Sequence, residues 1–311
     1  RRAPPAPAPR GARATTERRE QFVRITPTVP LTKVRITDDG DVTTDTRADA
    51  VAGEEPLEIH VGGQTLTTTM RTPGNDIELA HGFLYSEGLI DKAEDLAEAR
   101  YCAGATDGYN SYNVLDLELA SRQPLPPEFI RPVETTSACG VCGSTSIERV
   151  LDRRRPEIEP LPLDPGFVVS LPERLRAHQK AFRRTGGIHA AAAVNRDGEV
   201  LVAREDIGRH NAVDKVVGSL MLDGALPATG MILVVSSRAS FELVQKAVSA
   251  GFSALVAVSA ASSMAVELAR GAGLALAGFT RPGRFNLYSG ELAESAARAD
   301  AASPDRTPAR G

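Results

Sequence analysis

Residues 231–281 read MILVVSSRASFELVQKAVSAGFSALVAVSAASSMAVELARGAGLALAGFTR, and this stretch decides the fold. Three apolar runs, Met231–Val235, Ala254–Val258 and Leu274–Phe279, read as strands. Between them lie two helices, one capped by Ser240 and carrying Leu243, Val244, Ala247 and Val248, the other running from Ser262 to Arg270. This alternation is the signature of βαβ units on a largely parallel sheet. Ligands of such sheets bind beyond the carboxyl ends of the strands. Here those ends carry Ser236, Ser237 and Arg238; Ser259; and Thr280, Arg281 and Arg284. Hydroxyls, guanidiniums and helix N-termini on one edge suit an anion or phosphate. Taken singly, each residue is an ordinary cap or a solvated arginine; three ends in agreement favour a ligand. No Gly-x-Gly-x-x-Gly or Walker pattern is present, so a nucleotide would be held in another way.

Working outward, Gly198–Arg204 is a strand, and Asp206–Asn211 opens a helix with the stripe Val213, Val216, Val217, Leu220 and Met221. Pro156–Pro172 reads as a linker. Nearer the start, Leu57–Val61 alternates apolar and polar, and with Gly62-Gly63 and Gln64–Met70 predicts a β-hairpin. His60 falls on its polar face as a surface residue. Pro73-Gly74-Asn75 leads a helix with Ile77, Ala80, His81, Leu84 and Tyr85 along one stripe, where His81 is a core or partner-facing histidine. Leu115–Leu119 is a half-buried strand, and Cys102 is an incidental thiol. Ala247–Val266 is uncharged for long enough to raise the membrane question. It carries five serines, however, and divides into helix end, strand and helix start, so it reads as soluble core. The domain plan is a disordered tail over 1–21, an N-terminal α+β domain over 22–135, a Cys-x-x-Cys loop with short helix and linker over 136–164, an α/β domain over 165–290, and a second tail over 291–311. The first tail begins with a twin Arg but has no apolar run behind it, which supports neither secretion nor an anchor.

At 311 residues, net charge −4 and 42% hydrophobic residues, the chain has an ordinary globular composition without the basic excess of a nucleic-acid binder. Three cysteines make no disulfide framework, which points to a reducing compartment.

Two of those cysteines, Cys139 and Cys142, stand in Thr135–Thr145 with Gly140 and Gly143 beside them. Thr145 and Glu148 fit a capping box, Ile147, Val150 and Leu151 give an apolar stripe, and Pro156 ends the helix. Thiols just ahead of a helix N-terminus are favoured as thiolates. Three chemistries compete. A structural zinc site needs two more ligands, which Cys102 and one of the five histidines could supply, but the sequence has no second Cys-x-x-Cys or His-x3-His pair. A deaminase zinc site asks for His-x-Glu and Pro-Cys-x-x-Cys, but no histidine has Glu two residues on and Ala138 stands where proline belongs. Redox chemistry or sulfur carriage asks only for an accessible low-pKa pair. The pair alone leaves structural metal and thiol chemistry level.

Glu205-Asp206-Ile207-Gly208-Arg209-His210-Asn211-Ala212-Val213-Asp214-Lys215 closely resembles the signature of the formate dehydrogenase accessory sulfurtransferases, the FdhD family. The resemblance extends through Ala80–Leu84 with Glu87-Gly88, Cys139–Gly143, Thr185–Ala191, Ser237–Glu242, Gly278–Arg281 and Arg284–Asn286. It covers about Thr32 to Ser289. One departure is Ser259-Ala260-Ala261-Ser262, where the family has Ser-Ala-Pro-Thr.

The resemblance implies a cytoplasmic sulfur carrier, a sulfurtransferase with a cysteine persulfide intermediate. Its sulfur would come from a cysteine desulfurase and pass to the bis-molybdopterin guanine dinucleotide form of the molybdenum cofactor, bound as substrate, before insertion into formate dehydrogenase. By matching position, Cys139 carries the persulfide and Cys142 assists. Phe279, Thr280, Arg281, Pro282, Gly283 and Arg284 match the guanine dinucleotide stretch, joined by Ser236, Arg238 and Ser259 from the strand ends. The implied fold is α/β, with a cytidine-deaminase-like C-terminal domain on a largely parallel or mixed sheet and a smaller β-rich N-terminal domain. A homodimer is expected, with no metal of its own and no nucleic-acid or membrane partner. His189 and His210 are candidate proton shuttles or structural residues. The rival is a cofactor-binding chaperone with the cysteine pair as a metal or redox clip.

Overall fold

The computed structural model of the chain describes residues 25–102, 112–121, 150–151 and 156–294. In chain order the described elements are β1 (Thr28–Ile36), β2 (Val42–Ala50), β3 (Glu55–Val61), β4 (Gln64–Arg71), α1 (Asp76–Glu87), β5 (Leu96–Tyr101) and β6 (Val114–Leu119). There follow α2 (Pro165–His178), α3 (Lys180–Thr185), β7 (His189–Val194), β8 (Val200–Asp206), α4 (Arg209–Leu222), β9 (Ile232–Val235), α5 (Phe241–Ala250), β10 (Ala254–Ala257), α6 (Ser263–Ala272), β11 (Ala275–Arg281) and β12 (Arg284–Ser289). They belong to two units: one takes the described residues within 1–76, 96–138 and 180–188, the other those within 77–95, 139–179 and 189–311.

In the first unit β1 and β2 make an antiparallel ribbon, and a second sheet has the order β4-β3-β6-β5. Gly62 and Gly63, at φ 57° and 79°, form the turn between β3 and β4, a conformation that costs a Cβ-bearing residue strain. Leu57, Ile59, Val61, Leu115 and Leu117 are the buried half of the alternation read from the sequence. Arg71, almost fully buried, holds Asp76 bidentately at 3.1 and 3.0 Å, and the Tyr101 hydroxyl donates to the same carboxylate at 3.0 Å.

In the second unit the sheet order is β12-β11-β10-β9-β7-β8. Strands β9, β10 and β11 run parallel, while β7 is antiparallel to β8 and β9, and β12 to β11. The sheet is therefore mixed. Helices α4, α5 and α6 bury Val213, Val217, Val244, Val248 and Leu268 against one side, and α2 buries Val168, Leu171 and Leu175 against the other. That double cover is why β9 and β10 are buried at every position and read as uninterrupted apolar runs. The uncharged stretch 247–266 is the end of α5, β10 and the start of α6, and no described helix is long and apolar enough to cross a membrane.

Several sequence expectations change. The linker over Pro156–Pro172 gives way to α2 from Pro165 onward. Asp164 caps it by accepting from the Phe167 amide at 2.6 Å, Pro165 sits where a missing N–H costs nothing, and Pro172 is carried inside. Leu274–Phe279 is not the last strand, because Pro282-Gly283 turns the chain back into β12. In α1 Ile77 is exposed, and Leu79, Ala80 and Leu84 form the buried face. Helix α1 from residue 77 also joins the second unit rather than the 22–135 domain expected to hold it, while 180–188 joins the first. The reason for α1 is a backbone crossing. A Cβ on Gly82 would lie 1.9 Å from the Asp214 carbonyl oxygen, and one on Gly218 would lie 1.8 Å from that of Glu78. Only glycine permits helices α1 and α4 to touch this closely.

Candidate functional site at the sheet edge

The parallel strands carry their pairing past their ends. Ser259 N donates to Ser237 O at 3.2 Å, and Phe279 N donates to Ser259 O at 2.9 Å. The three strand ends singled out in the sequence are thus side by side. Because each strand–helix connection leaves from this edge, the N-termini of α5 and α6 lie here too, with Ser240 and Ser262 at their N-cap positions. Ser262 keeps its capping bond to the Ala265 amide at 3.3 Å despite the changed loop sequence before it.

The hydroxyls divide by role. Ser236 Oγ accepts from the Ala190 amide at 2.9 Å, and Ser237 Oγ donates to the Arg238 carbonyl at 3.0 Å, so both serve the backbone. Thr280 Oγ1 is fully buried with no hydrogen-bond partner among the described residues. Phe279, just before it, takes φ +52° at a register shift between β11 and β12, and the residue is 45% exposed. A left-handed phenylalanine is strained, and strain of this kind collects at binding sites. Arg281 pairs across the hairpin with Arg284, two like charges face to face over the Pro282-Gly283 turn. Arg281 Nη1 donates to the Val258 and Thr280 carbonyls at 2.8 and 3.3 Å, which anchors one end of the guanidinium and leaves the rest for a ligand. Arg238, Arg281 and Arg284 are exposed, and among the described residues none has a carboxylate partner. An anion is the partner such a set lacks.

Strand β8 ends on the same edge, which the sequence reading did not count. It delivers Asp206, Gly208, Arg209 and His210, and β7 starts there with His189. Burial, then the charges of Arg209 and His210, push the His189 pKa down, so near neutral pH its ring is an uncharged donor–acceptor. His210 Nε2 lies 3.8 Å from Glu242 Oε2 and 3.5 Å from Ser240 Oγ, and the His210 ring is the main cause holding the Glu242 carboxyl down at about 2. Arg209 Nε is a second buried atom without a hydrogen-bond partner among the described residues. Arg209 and Glu242 were missed; extending the strand-end rule to β8 and to the first turn of α5 would have found them.

Other residues of the resembling motifs hold the scaffold. Asp206 pairs with Lys215 at 2.7 Å and also accepts from the Gly208 amide at 2.8 Å. Asp214 accepts from Lys246 Nζ at 2.7 and 2.9 Å and from Ser86 at 3.2 Å. Glu78 holds Arg204 bidentately at 2.5 and 2.7 Å. Burial raises the Asp206 and Asp214 carboxyls, and Lys215 and Lys246 pull them back. His81 is buried with Nδ1 2.8 Å from the Ile77 carbonyl, as a core histidine should be. Cys102 follows β5, half-buried. Cys139 and Cys142, with the helix expected after them, lie outside the described residues apart from Val150 and Leu151, which are helical and packed against the α4–α6 core.

Comparison with known proteins bears on the fold and the family. A structure from Desulfotalea psychrophila, described as a putative formate dehydrogenase accessory protein, superposes with TM-score 0.63 at 22% identity, covering 84% of this chain and 96% of that one, which shows a shared fold. The sulfur carrier protein FdhD of Corynebacterium efficiens is 53% identical over 275 residues, 86% of this chain and 99% of its own. That of Nocardia farcinica is 54% identical over 263 residues, 83% of this chain and 91% of its own. The FdhD/NarQ family model matches residues 52–293, from β3 to just past β12, and the chain belongs to that family.

Proposed function

We propose that the protein is a cytoplasmic sulfur carrier that serves formate dehydrogenase by sulfurating its molybdenum cofactor. The observation that carries the cofactor half of this reading is the Arg281–Arg284 pair, which has no carboxylate partner among the described residues, beside strained Phe279 and the Thr280 hydroxyl, which has no hydrogen-bond partner among them. Two guanidiniums suit a diphosphate bidentately, an exposed aromatic ring suits a purine, and a buried hydroxyl suits a fixed polar atom. Arg238 and the α5 and α6 N-termini add donors on the same edge. The ligand with those parts is the guanosine diphosphate end of the bis-molybdopterin guanine dinucleotide substrate.

The sulfur half belongs to Cys139 and Cys142. The Cys139 thiolate attacks the outer sulfur of a cysteine desulfurase persulfide; its S–S bond breaks, the donor leaves as thiolate, and Cys139 holds the sulfane sulfur. Delivery then follows one of two balanced routes. Cys142 attacks the inner sulfur, forming a Cys139–Cys142 disulfide and expelling sulfide, with a dithiol reductant needed to reset the pair. Otherwise an electron-rich, reduced acceptor attacks the outer sulfur and supplies both electrons of the new bond, the S–S bond breaks, and Cys139 leaves as thiolate. Intact mass after incubation with a desulfurase and cysteine tests this: wild type and Cys102→Ser gain one sulfur, Cys139→Ser gains none, and Cys142→Ser loads but delivers poorly. Loading of Cys139→Ser at the wild-type level removes Cys139 as carrier. About one tightly held zinc per chain would move the pair to the role of a metal clip. The working assembly is a homodimer.

A further inference from the structure

The β1–β2 ribbon precedes the residues that the family model matches, and its two faces differ. Cross-strand pairing puts Thr28, Pro30, Thr32, Val34 and Ile36 on one face with Ala50, Ala48, Thr46, Thr44 and Val42. That face carries no charge, and all of it except Ala50 is exposed, Ile36 by 72% and Val42 by 62%. The opposite face bears Lys33, Arg35, Asp45, Arg47 and Asp49, and there Leu31, Lys33 and Asp49 are half-buried. A two-stranded ribbon is marginal in water, and this one turns its uncharged side outward.

Its backbone also has a free edge. Val51 N donates to Pro27 O and Thr37 N to Asp41 O, which puts odd-numbered residues in the hydrogen-bonded pairs of the ribbon and turns even-numbered amides outward. On β1 that outer row is interrupted by Pro30, which has no N–H to offer. On β2 it is intact, and among the described residues no strand pairs there and Thr44, Thr46 and Ala48 find no partner for their amides.

We infer that β2 pairs antiparallel with β2 of a second copy about a two-fold axis at Thr46, joining the ribbons into a four-stranded sheet. Charge selects this register. Full overlap of residues 42–50 sets Val42 against Ala50 and Thr44 against Ala48. It also sets Asp45 against the second copy's Arg47 twice, in the non-hydrogen-bonded positions where side chains stand closest. A shift to centre on Asp45 opposes two aspartates, and a shift to Arg47 opposes two arginines. Only outward, even-numbered residues meet in the ladder, as hydrogen bonding requires, and the uncharged face becomes continuous across both copies.

The inference rests on the reading of the protein as a homodimer, and the test separates the two. Sedimentation of the full chain should show a dimer that Thr46→Pro weakens at least about tenfold, since that proline deletes an outward amide and no bond inside the ribbon. Arg47→Asp and Asp45→Lys should each weaken it similarly, and mixing these two variants should restore dimers, because each then meets its opposite charge. Sulfur loading, measured in parallel, should not change. A wild-type monomer at about 100 μM overturns both readings. A dimer indifferent to Thr46→Pro, or two charge variants that do not rescue each other, overturns the β2 edge and leaves the homodimer standing.

Discussion

The second unit uses positive charge in two opposite ways. Beneath the sheet edge, Lys215, Lys246 and Arg204 are each matched to a carboxylate, and the two lysines are almost fully buried. On the edge, Arg238, Arg281 and Arg284 are exposed, and two of them face each other. A buried cation without a counter-charge would unfold the protein, so pairing marks scaffold. An exposed cation tolerates having none, and like charges held together by a tight turn suit an added anion. Residue type does not separate the two groups; the partner does.

Breaking a scaffold pair should have the largest effect. Lys246→Met leaves the Asp214 carboxylate buried without its lysine, with the Ser86 hydroxyl still donating to it, and should cost about 3–5 kcal/mol. Chemical denaturation should show a large drop in midpoint, and the double variant Asp214→Leu/Lys246→Met should recover much of it. If Lys246→Met unfolds at the wild-type midpoint, the pair is not scaffold. Next comes the crossing that aligns these pairs. Gly218→Ala drives a methyl into the Glu78 carbonyl, which cannot swing away as a side chain would, and should cost roughly 1–3 kcal/mol by forcing α1 off α4.

The arginines should behave in reverse. Arg281→Ala should leave the denaturation midpoint nearly unchanged but weaken GDP binding by about ten- to a hundredfold, since a charge-assisted bond contributes about 1.5–3 kcal/mol. Wild-type binding should also weaken with added salt. Calorimetry that finds equal GDP affinity in wild type and an Arg281/Arg284 double alanine variant removes this edge as the cofactor site. Sulfur loading onto Cys139 should survive either substitution.

Much of this unit was legible because β9, β10 and β11 are short apolar runs separated by helices with clear caps, and the strand-end rule then located Ser236, Ser259 and Thr280. Where composition blurred the period, the reading stopped. Strand β7 is HAAAAV, too rich in alanine to declare itself, and α2 hides behind prolines that stand where a helix accepts them. Strand β12 was lost because Pro282-Gly283 reads equally as a stop and as a turn. The ribbon was passed over because threonines and charges alternate there without an apolar face inside the unit. Pairs such as Asp214–Lys246, 32 residues apart, have no local signal at all. The deepest scaffold contacts were therefore invisible, while the exposed edge that would bind a ligand could be read.

Glu242 and His210 sit between these extremes, and their pair sharpens the contrast at its weakest point. Both side chains are 21% exposed at the sheet edge, so their attraction is partly screened and worth about 1 kcal/mol or less. The Glu242 carboxyl is nonetheless held at about 2, below its ordinary 4.5, first by the His210 ring. In the window between those values the unfolded chain binds a proton that the native one refuses, so stability rises with pH there. The contribution is complete above about 4.5 and is lost as pH falls towards 2. Glu242→Gln should thus be slightly less stable than wild type at pH 6, and the gap should close as the comparison is repeated at pH 4 and pH 3. A gap of constant size down to pH 3 would mean that Glu242 is not held ionised by His210, and the edge would then carry one more free carboxylate against the anion proposed for it.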